Sequence, residues 1–177
     1  MPAQESMPRI LILSDTHGYI DDVIMRYARE ADEIWHGGDI GTPAVTDRLK
    51  STGKTLRAVY GNIDGDVLRL EFPEFTAFEL AGLRILITHI AGRPGRYTPK
   101  LKEYLGGNPP DLLVCGHSHI LLIERESKSG MLHINPGAAG ISGFHQERTM
   151  VRLELNGGKV HNAEVIQLGK RSAKSVG

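Results

Sequence analysis

Cysteine is nearly missing. Cys115 is the single one among 177 residues, so no intrachain disulfide can form, and a reducing, cytoplasmic setting is expected. Net charge is missing too: 21 basic side chains balance 21 acidic ones, which removes the electrostatic footprint of a protein that wraps nucleic acid. No apolar run approaches the roughly 20 residues that cross a bilayer, so no membrane partner is expected. The stretch Met1–Pro8 lacks an apolar run behind basic residues and does not read as a signal peptide. No aromatic-basic groove for stacking single-stranded bases is evident, which argues against nucleic acid as a partner. Repeats, low-complexity tracts and linkers are lacking as well. Residues 8–168 therefore read as one domain, with 1–7 and 169–177 as flexible tails.

What is present is a regular alternation at the start. Arg9 to Leu13 is a short branched apolar run and reads as a buried strand. Ile20 to Glu30 has helical spacing through Ile20, Val23, Ile24 and Tyr27, with Asp21 and Asp22 in its first turn. Glu33 to His36 is a second strand, Pro43 to Lys50 a second helix behind Thr42 as N-cap, and Lys54 to Tyr60 a third strand. Strand–helix–strand–helix–strand predicts parallel crossover units, whose ligands sit at the carboxyl ends of the strands. The pattern then changes. Thr76–Leu80 and Arg84–Thr88 read as a hairpin, Tyr97–Leu105 as a weak helix and Leu112–Cys115 as an apolar strand. Further strands, largely antiparallel, are expected at 120–125, 131–134, 150–155 and 159–166, the last two joined by the tight turn Asn156-Gly157-Gly158. The expected fold class is α/β, two packed mixed sheets with helices outside.

Five polar stretches follow or interrupt these strands: Ser14-Asp15-Thr16-His17-Gly18, Gly37-Gly38-Asp39, Gly61-Asn62-Ile63-Asp64, Thr88-His89 and Gly116-His117-Ser118-His119. Singly, each has an ordinary explanation. Asp15 could cap a helix, Asp39 could close an Asx-turn, Gly61-Asn62 is a plain turn, and His89 could be a structural histidine at a strand end. The Gly-His-Ser-His step is the most specific, because alternate residues share a face. Together the stretches supply two carboxylates, one amide and four imidazoles. That oxygen and nitrogen set suits a pair of divalent transition metals better than calcium.

In this order the motifs resemble the calcineurin-like metallophosphoesterase superfamily, and most nearly its small single-domain branch, the YfcE-type phosphodiesterases, which includes a retromer subunit of similar fold. The resemblance spans roughly residues 9–166. It implies an αββα sandwich. It also implies two divalent ions, manganese first, with iron, zinc, nickel or cobalt as alternatives. One ion would take Asp15, His17, Asp39 and His119; the other would take Asp39, Asn62, His89 and His117, with Asp39 bridging. Asp39, Asn62 and His117 would then serve catalysis directly. The implied activity is hydrolysis of a small phosphate ester, a phosphodiester foremost, by a hydroxide lying between the metals. A homodimer is a further expectation of the resemblance. A weakly active interaction scaffold and a nuclease are the alternatives.

Two departures stand out. The residue after Asn62 is Ile63, where relatives place a His or Cys, so no general acid is available there. The residues after His89 are Ile90-Ala91-Gly92, beyond which Arg93, Arg96 and Lys100 could form a basic lip for phosphate. His36 reads as a strand-end histidine, Asp64 as a brace of its own turn, Trp35 as core and Cys115 as inert. Asn135-Pro136-Gly137 resembles a loop of the same superfamily with a structural role. His133, His145 and His161 have no evident partners in the sequence and read as structural or exposed.

Overall fold

The computed structural model describes residues 7–172. β1 (Arg9–Leu13) shows why the start of the chain is apolar without alternation. Ile10 and Ile12 face one core while Leu11 and Leu13 face another, so both sides of the strand are covered. β1 lies between the parallel strand β2 (Glu33–His36) and the antiparallel strand β11 (Glu147–Asn156). β3 (Thr55–Ala58) continues the parallel run beyond β2, and β12 (Lys159–Lys170) pairs antiparallel with β11. This first sheet has the order β12-β11-β1-β2-β3.

The second sheet has the order β4-β5-β8-β10-β9, built from β4 (Phe75–Leu80), β5 (Leu83–Thr88), β8 (Leu112–Val114), β10 (Leu132–Asn135) and β9 (Leu122–Arg125). β5, β8 and β10 run parallel, while β4 and β9 pair antiparallel at the two edges. The inner faces of the two sheets meet in one apolar layer, where Ile10, Ile12, Trp35 and Val151 join Ile85, Ile87, Val114 and Ile134. The outer face of the first sheet is covered by α1 (Asp22–Glu30), α2 (Pro43–Lys50) and α3 (Asp66–Glu71), through Ile24, Ala28, Val45, Leu49 and Leu68. α4 (Pro99–Leu105) covers the second sheet with Leu101 packed near Leu86, Leu113 and Cys115. The result is an αββα sandwich, as the sequence predicts.

Local chemistry explains where the elements begin. Asp21 is the N-cap of α1 and accepts the Ile24 N–H at 2.9 Å. The helix expected over 97–105 starts only at Pro99, because the residue before a proline is held extended; Thr98 sits at φ −60°, ψ 150° and caps the helix. Tyr97 belongs instead to β7 (Arg96–Tyr97), which pairs with β6 (Gly92–Arg93) in a small ribbon absent from the sequence reading. α3 was also unforeseen: it has six residues and buries only Leu68, too short for a visible period. At the far end, the expected tail boundary after 168 falls inside β12, where Lys170 still pairs with Glu147. The expected tail segments 1–6 and 173–177 lie outside the described residues.

Candidate metal centre

The Asp15, Asp39 and Asn62 loops leave the carboxyl ends of β1, β2 and β3, and the His89 and His117–His119 loops leave those of β5 and β8. Within each sheet these strands run parallel, and the contact between His89 Nδ1 and the Gly37 carbonyl (2.7 Å) joins the carboxyl ends of the two sheets at one edge. The first two loops are laced together by backbone bonds: Asp15 N–H to the Gly38 carbonyl (2.9 Å), His17 N–H to Asp39 (2.9 Å) and Gly18 N–H to Ile40 (2.8 Å). The donors form two groups, Asp15 with His17 and His119, and Asp39 with His89 and His117. Within each group the donor atoms lie within 4.8 Å of one another. Asn62 joins the second group, its Oδ1 lying 3.0 Å from both His89 Nε2 and His117 Nδ1. Asp39 Oδ2 faces both groups, 3.2 Å from His89 Nε2 and 3.5 Å from His17 Nε2.

The residues fit cations on evidence internal to the fold. Asp15 Oδ1 and His17 Nε2 are buried yet find no hydrogen-bond partner, an expensive state for polar atoms unless an ion satisfies them. Asp15 Oδ1 nevertheless lies 3.1 Å from His119 Nε2. The other carboxylate oxygens are already occupied. Asp15 Oδ2 accepts the Ser14 hydroxyl (2.7 Å) and the His117 N–H (3.1 Å), and Asp39 Oδ1 accepts the Ile63 N–H (3.0 Å). Each carboxylate thus turns one oxygen toward the centre. The His89 ring is set by the Gly37 carbonyl, 2.7 Å from Nδ1, which requires the proton on Nδ1 and leaves Nε2 as the nitrogen that faces the centre.

The backbone is strained here. Seven non-glycine residues among those described have positive φ, and five of them are Asp15, His17, Asp39, His117 and His119. Left-handed backbone costs an L-residue about 1–2 kcal/mol, and such strain clusters where function requires it. Space is equally constrained: a Cβ on Gly38 (φ +96°) would come within 2.7 Å of His89 Nδ1.

Charge follows geometry. Burial alone would raise the Asp15 carboxyl, but the imidazoles of His119 and His17 hold it well below the usual carboxylate range. At Asp39 burial also pushes upward, and His89 more than reverses it. Asp15 pushes the His17 imidazole up; at His89 burial pushes down but Asp39 and Asp15 prevail, so that ring is raised too. A cation entering either group would displace protons, as metal binding to imidazole and carboxylate does generally.

The calcineurin-like phosphoesterase superfamily domain matches residues 8–158. This chain belongs to that superfamily. A probable metallophosphoesterase of Methanothermobacter thermautotrophicus is 29% identical over 171 residues, which is 93% of this chain and 95% of the relative. A phosphodiesterase of Methanocaldococcus jannaschii is 26% identical over 149 residues, 73% of this chain and 82% of the relative. The crystal structure of Vps29 from Entamoeba histolytica complexed with Zn2+ is similar at TM-score 0.67 and 18% identity, covering 90% of this chain and 98% of that one. At that identity the likeness is one of fold.

In this member of the calcineurin-like superfamily the candidate site has supports that the sequence under-reported. Asp64 does more than brace its own turn: besides the Gly61 N–H (2.8 Å) it accepts those of Ile40 (3.1 Å) and Gly41 (2.8 Å), tying the Asn62 loop to the Asp39 loop. Asn135 donates to the Gly116 carbonyl (2.9 Å) and Ser118 Oγ (3.0 Å), holding the double-histidine loop. His36 accepts the Gly38 N–H at Nδ1 (3.1 Å) and lies 3.0 Å from Thr16 Oγ1. A cleft of about 390 Å3 opens beside Asn62 and His89, walled by Tyr60, Arg69, Phe75, Thr98 and Lys100. Arg93 and Arg96, expected at a basic lip, do not line it; they pair across the β6–β7 ribbon and are exposed. Arg69, which gave no sequence signal, stands there instead, donating to the Asp64 carbonyl at 2.6 Å and the Asn62 carbonyl at 3.2 Å. Another hollow, about 240 Å3 between α1 and β1, is lined by Arg9, Glu30, Arg152 and Glu164 and shares no residue with the donor groups. Cys115 is buried 3.1 Å from His133 Nε2, and burial pushes its thiol up to about 12, which makes it unreactive.

Proposed function

We propose that this chain hydrolyses phosphate esters, phosphodiesters foremost, at a centre of two divalent cations with manganese as the first choice. One observation carries the reading: a single carboxylate oxygen, Asp39 Oδ2, lies within reach of both donor groups. Asp15, His17, Asp39 and His119 would hold one cation, and Asp39, Asn62, His89 and His117 the other. Bound there, such a pair supplies Lewis-acid charge and a water that ionises near neutral pH.

The side chains of the protein do the rest. Asn62 contributes a neutral oxygen where a third carboxylate would add negative charge, so an anionic phosphate meets a net positive site. The cleft beside Asn62 and His89 offers aromatic walls, Tyr60 and Phe75, to one organic arm of the ester, with Arg69 and Lys100 adding positive charge. No proton donor stands at position 63, where the Ile63 side chain is 48% exposed. A leaving group must therefore depart with little help, which favours aryl over alkyl esters.

Metal-stripped protein reconstituted in turn with Mn2+, Fe2+, Zn2+, Ni2+ and Co2+ and assayed on an aryl phosphodiester tests the reading. Turnover restored by at least one cation, and reduced about 10³-fold or more in Asp39→Ala, is the expected result. A second reading, a metal-holding interaction scaffold, draws support from the fold likeness to Vps29, from Ile63 and from the exposed apolar residues Ile120, Ile141 and Phe144. Two cations bound per chain with no turnover of any ester would favour that scaffold.

A further inference from the structure

His145 lies in the loop between β10 and β11, and no sequence motif places it at the centre. Its Nε2 is 2.9 Å from the Gly140 carbonyl oxygen. A carbonyl only accepts, so Nε2 carries the proton and donates. Its Nδ1 is 3.1 Å from His119 Nδ1. Two ring nitrogens at that distance share one proton between them. In a neutral His145 ring protonated at Nε2, Nδ1 is bare, so the shared proton belongs to His119. His119 then presents Nε2 toward Asp15 Oδ1, 3.1 Å away, so that a cation entering between the two takes the place of any proton there.

The surroundings hold this arrangement rigid. The two rings meet edge to face, with centroids 5.0 Å apart at 74°. The Gly140 N–H bonds the Asp15 carbonyl at 3.1 Å, so the residue that orients His145 is itself pinned to the Asp15 loop. Arg171 Nε donates to the His145 carbonyl at 2.8 Å and anchors the loop from β12's end. Gly143, at φ +131°, leaves no room for a side chain against the His119 ring.

We propose that His145 is a positioning residue: it holds His119 in the Nδ1–H form and aims its Nε2 at the cation shared with Asp15 and His17. The inference rests on the two-cation reading above but not on turnover. The two groups are then set by different means. His89 is oriented by a main-chain carbonyl, whereas His119 is oriented by a second imidazole that a point mutation can remove.

The test reads the ring directly and then the metal. Long-range proton–nitrogen spectra of the Zn2+-loaded wild type should show His119 protonated at Nδ1 with Nε2 bare; a bare Nδ1 or a proton on Nε2 overturns the proposal, whatever any variant does. Co2+ titration of the full chain, followed by visible absorption and chelator competition, should show one of two ions bound about 10–100-fold more weakly in His145→Ala. The other ion should be held as in wild type. His145→Gln, whose amide can accept from His119 and donate to Gly140, should recover most of the loss, and His161→Ala should change nothing. Two ions bound as tightly by His145→Ala as by wild type overturn the inference, as does equal loss of both ions in Ala and Gln variants alike. Absence of ester turnover in a wild type that binds two ions removes the hydrolytic reading and leaves this one standing.

Discussion

At the residue scale, the donor side chains are held at a cost that substitution can expose. His117 sits at φ +72° with its Nδ1 on Asn62. Replacing it removes a donor in every case, but the backbone responds differently. In metal-free buffer, His117→Val should be less stable than His117→Gly by about 1–2 kcal/mol, read from urea unfolding, because a β-branched residue resists the left-handed region that glycine enters freely. Equal stability would mean that the loop relaxes into another basin and stores no strain. Ile63 poses the complementary question. Its N–H serves Asp39 while its side chain offers no proton. Ile63→His should raise turnover of alkyl esters by about 10²-fold or more while changing aryl esters far less. An unchanged alkyl-to-aryl ratio would show that leaving-group protonation does not limit the reaction.

At the element scale, the two tight hairpins show where local chemistry and backbone demand disagree. Ala81 (φ +50°) and Gly82 (φ +80°) form the two-residue turn between β4 and β5, a geometry that prefers Asn-Gly. Gly157 (φ +55°) and Gly158 (φ +73°) do the same between β11 and β12, and the Gly158 N–H bonds the Ala81 carbonyl at 2.8 Å. Ala81→Asn leaves that backbone bond intact and relieves the alanine. It should raise the urea midpoint, by about 0.5–1 kcal/mol in stability. A lower midpoint would place an unseen demand on the Ala81 methyl. The elements that sequence patterning located well, such as α2 and β1, declare themselves through caps, proline position and unbroken apolar runs. Those it missed, α3 and the β6–β7 ribbon, are too short to carry a period, and they are placed by the packing of Leu68 and Tyr97 on the two outer cores.

At the scale of the whole molecule, stability and pH are linked through buried imidazoles. His36 is fully buried, which pushes its pKa down to about 4, and its Nδ1 must stay bare to accept the Gly38 N–H. The unfolded chain takes up that proton near pH 6.5, so this stabilisation is present above roughly 6.5 and is lost as pH falls toward 4. His17 and His89 act in the opposite sense in metal-free protein. Their pKa values are raised, so their stabilisation is present in acid and lost as pH rises through the folded values. Comparison with His36→Gln separates the contributions. The wild-type advantage in urea unfolding under chelation should shrink by roughly 2 kcal/mol between about pH 7.5 and about pH 4.5. A pH-independent difference would mean that His36 is not held neutral by the fold.

The inventory of candidate donors was legible along the chain, because each sits in a short loop behind a strand whose apolar run is readable within a few residues. The sequence by itself determined the layer architecture, since strands apolar on both faces must be covered on both. Which donors meet depends on packing across the whole chain. Asn62 reaches His117 and His119 reaches His145 only because strand order and the packing of two sheets bring distant loops to one edge. The displacement of Arg93 and Arg96 from the cleft, and the presence of Arg69 there, were decided in the same way. Local patterning records which face of an element is buried, whereas the neighbour across that face is selected by the burial of the whole chain.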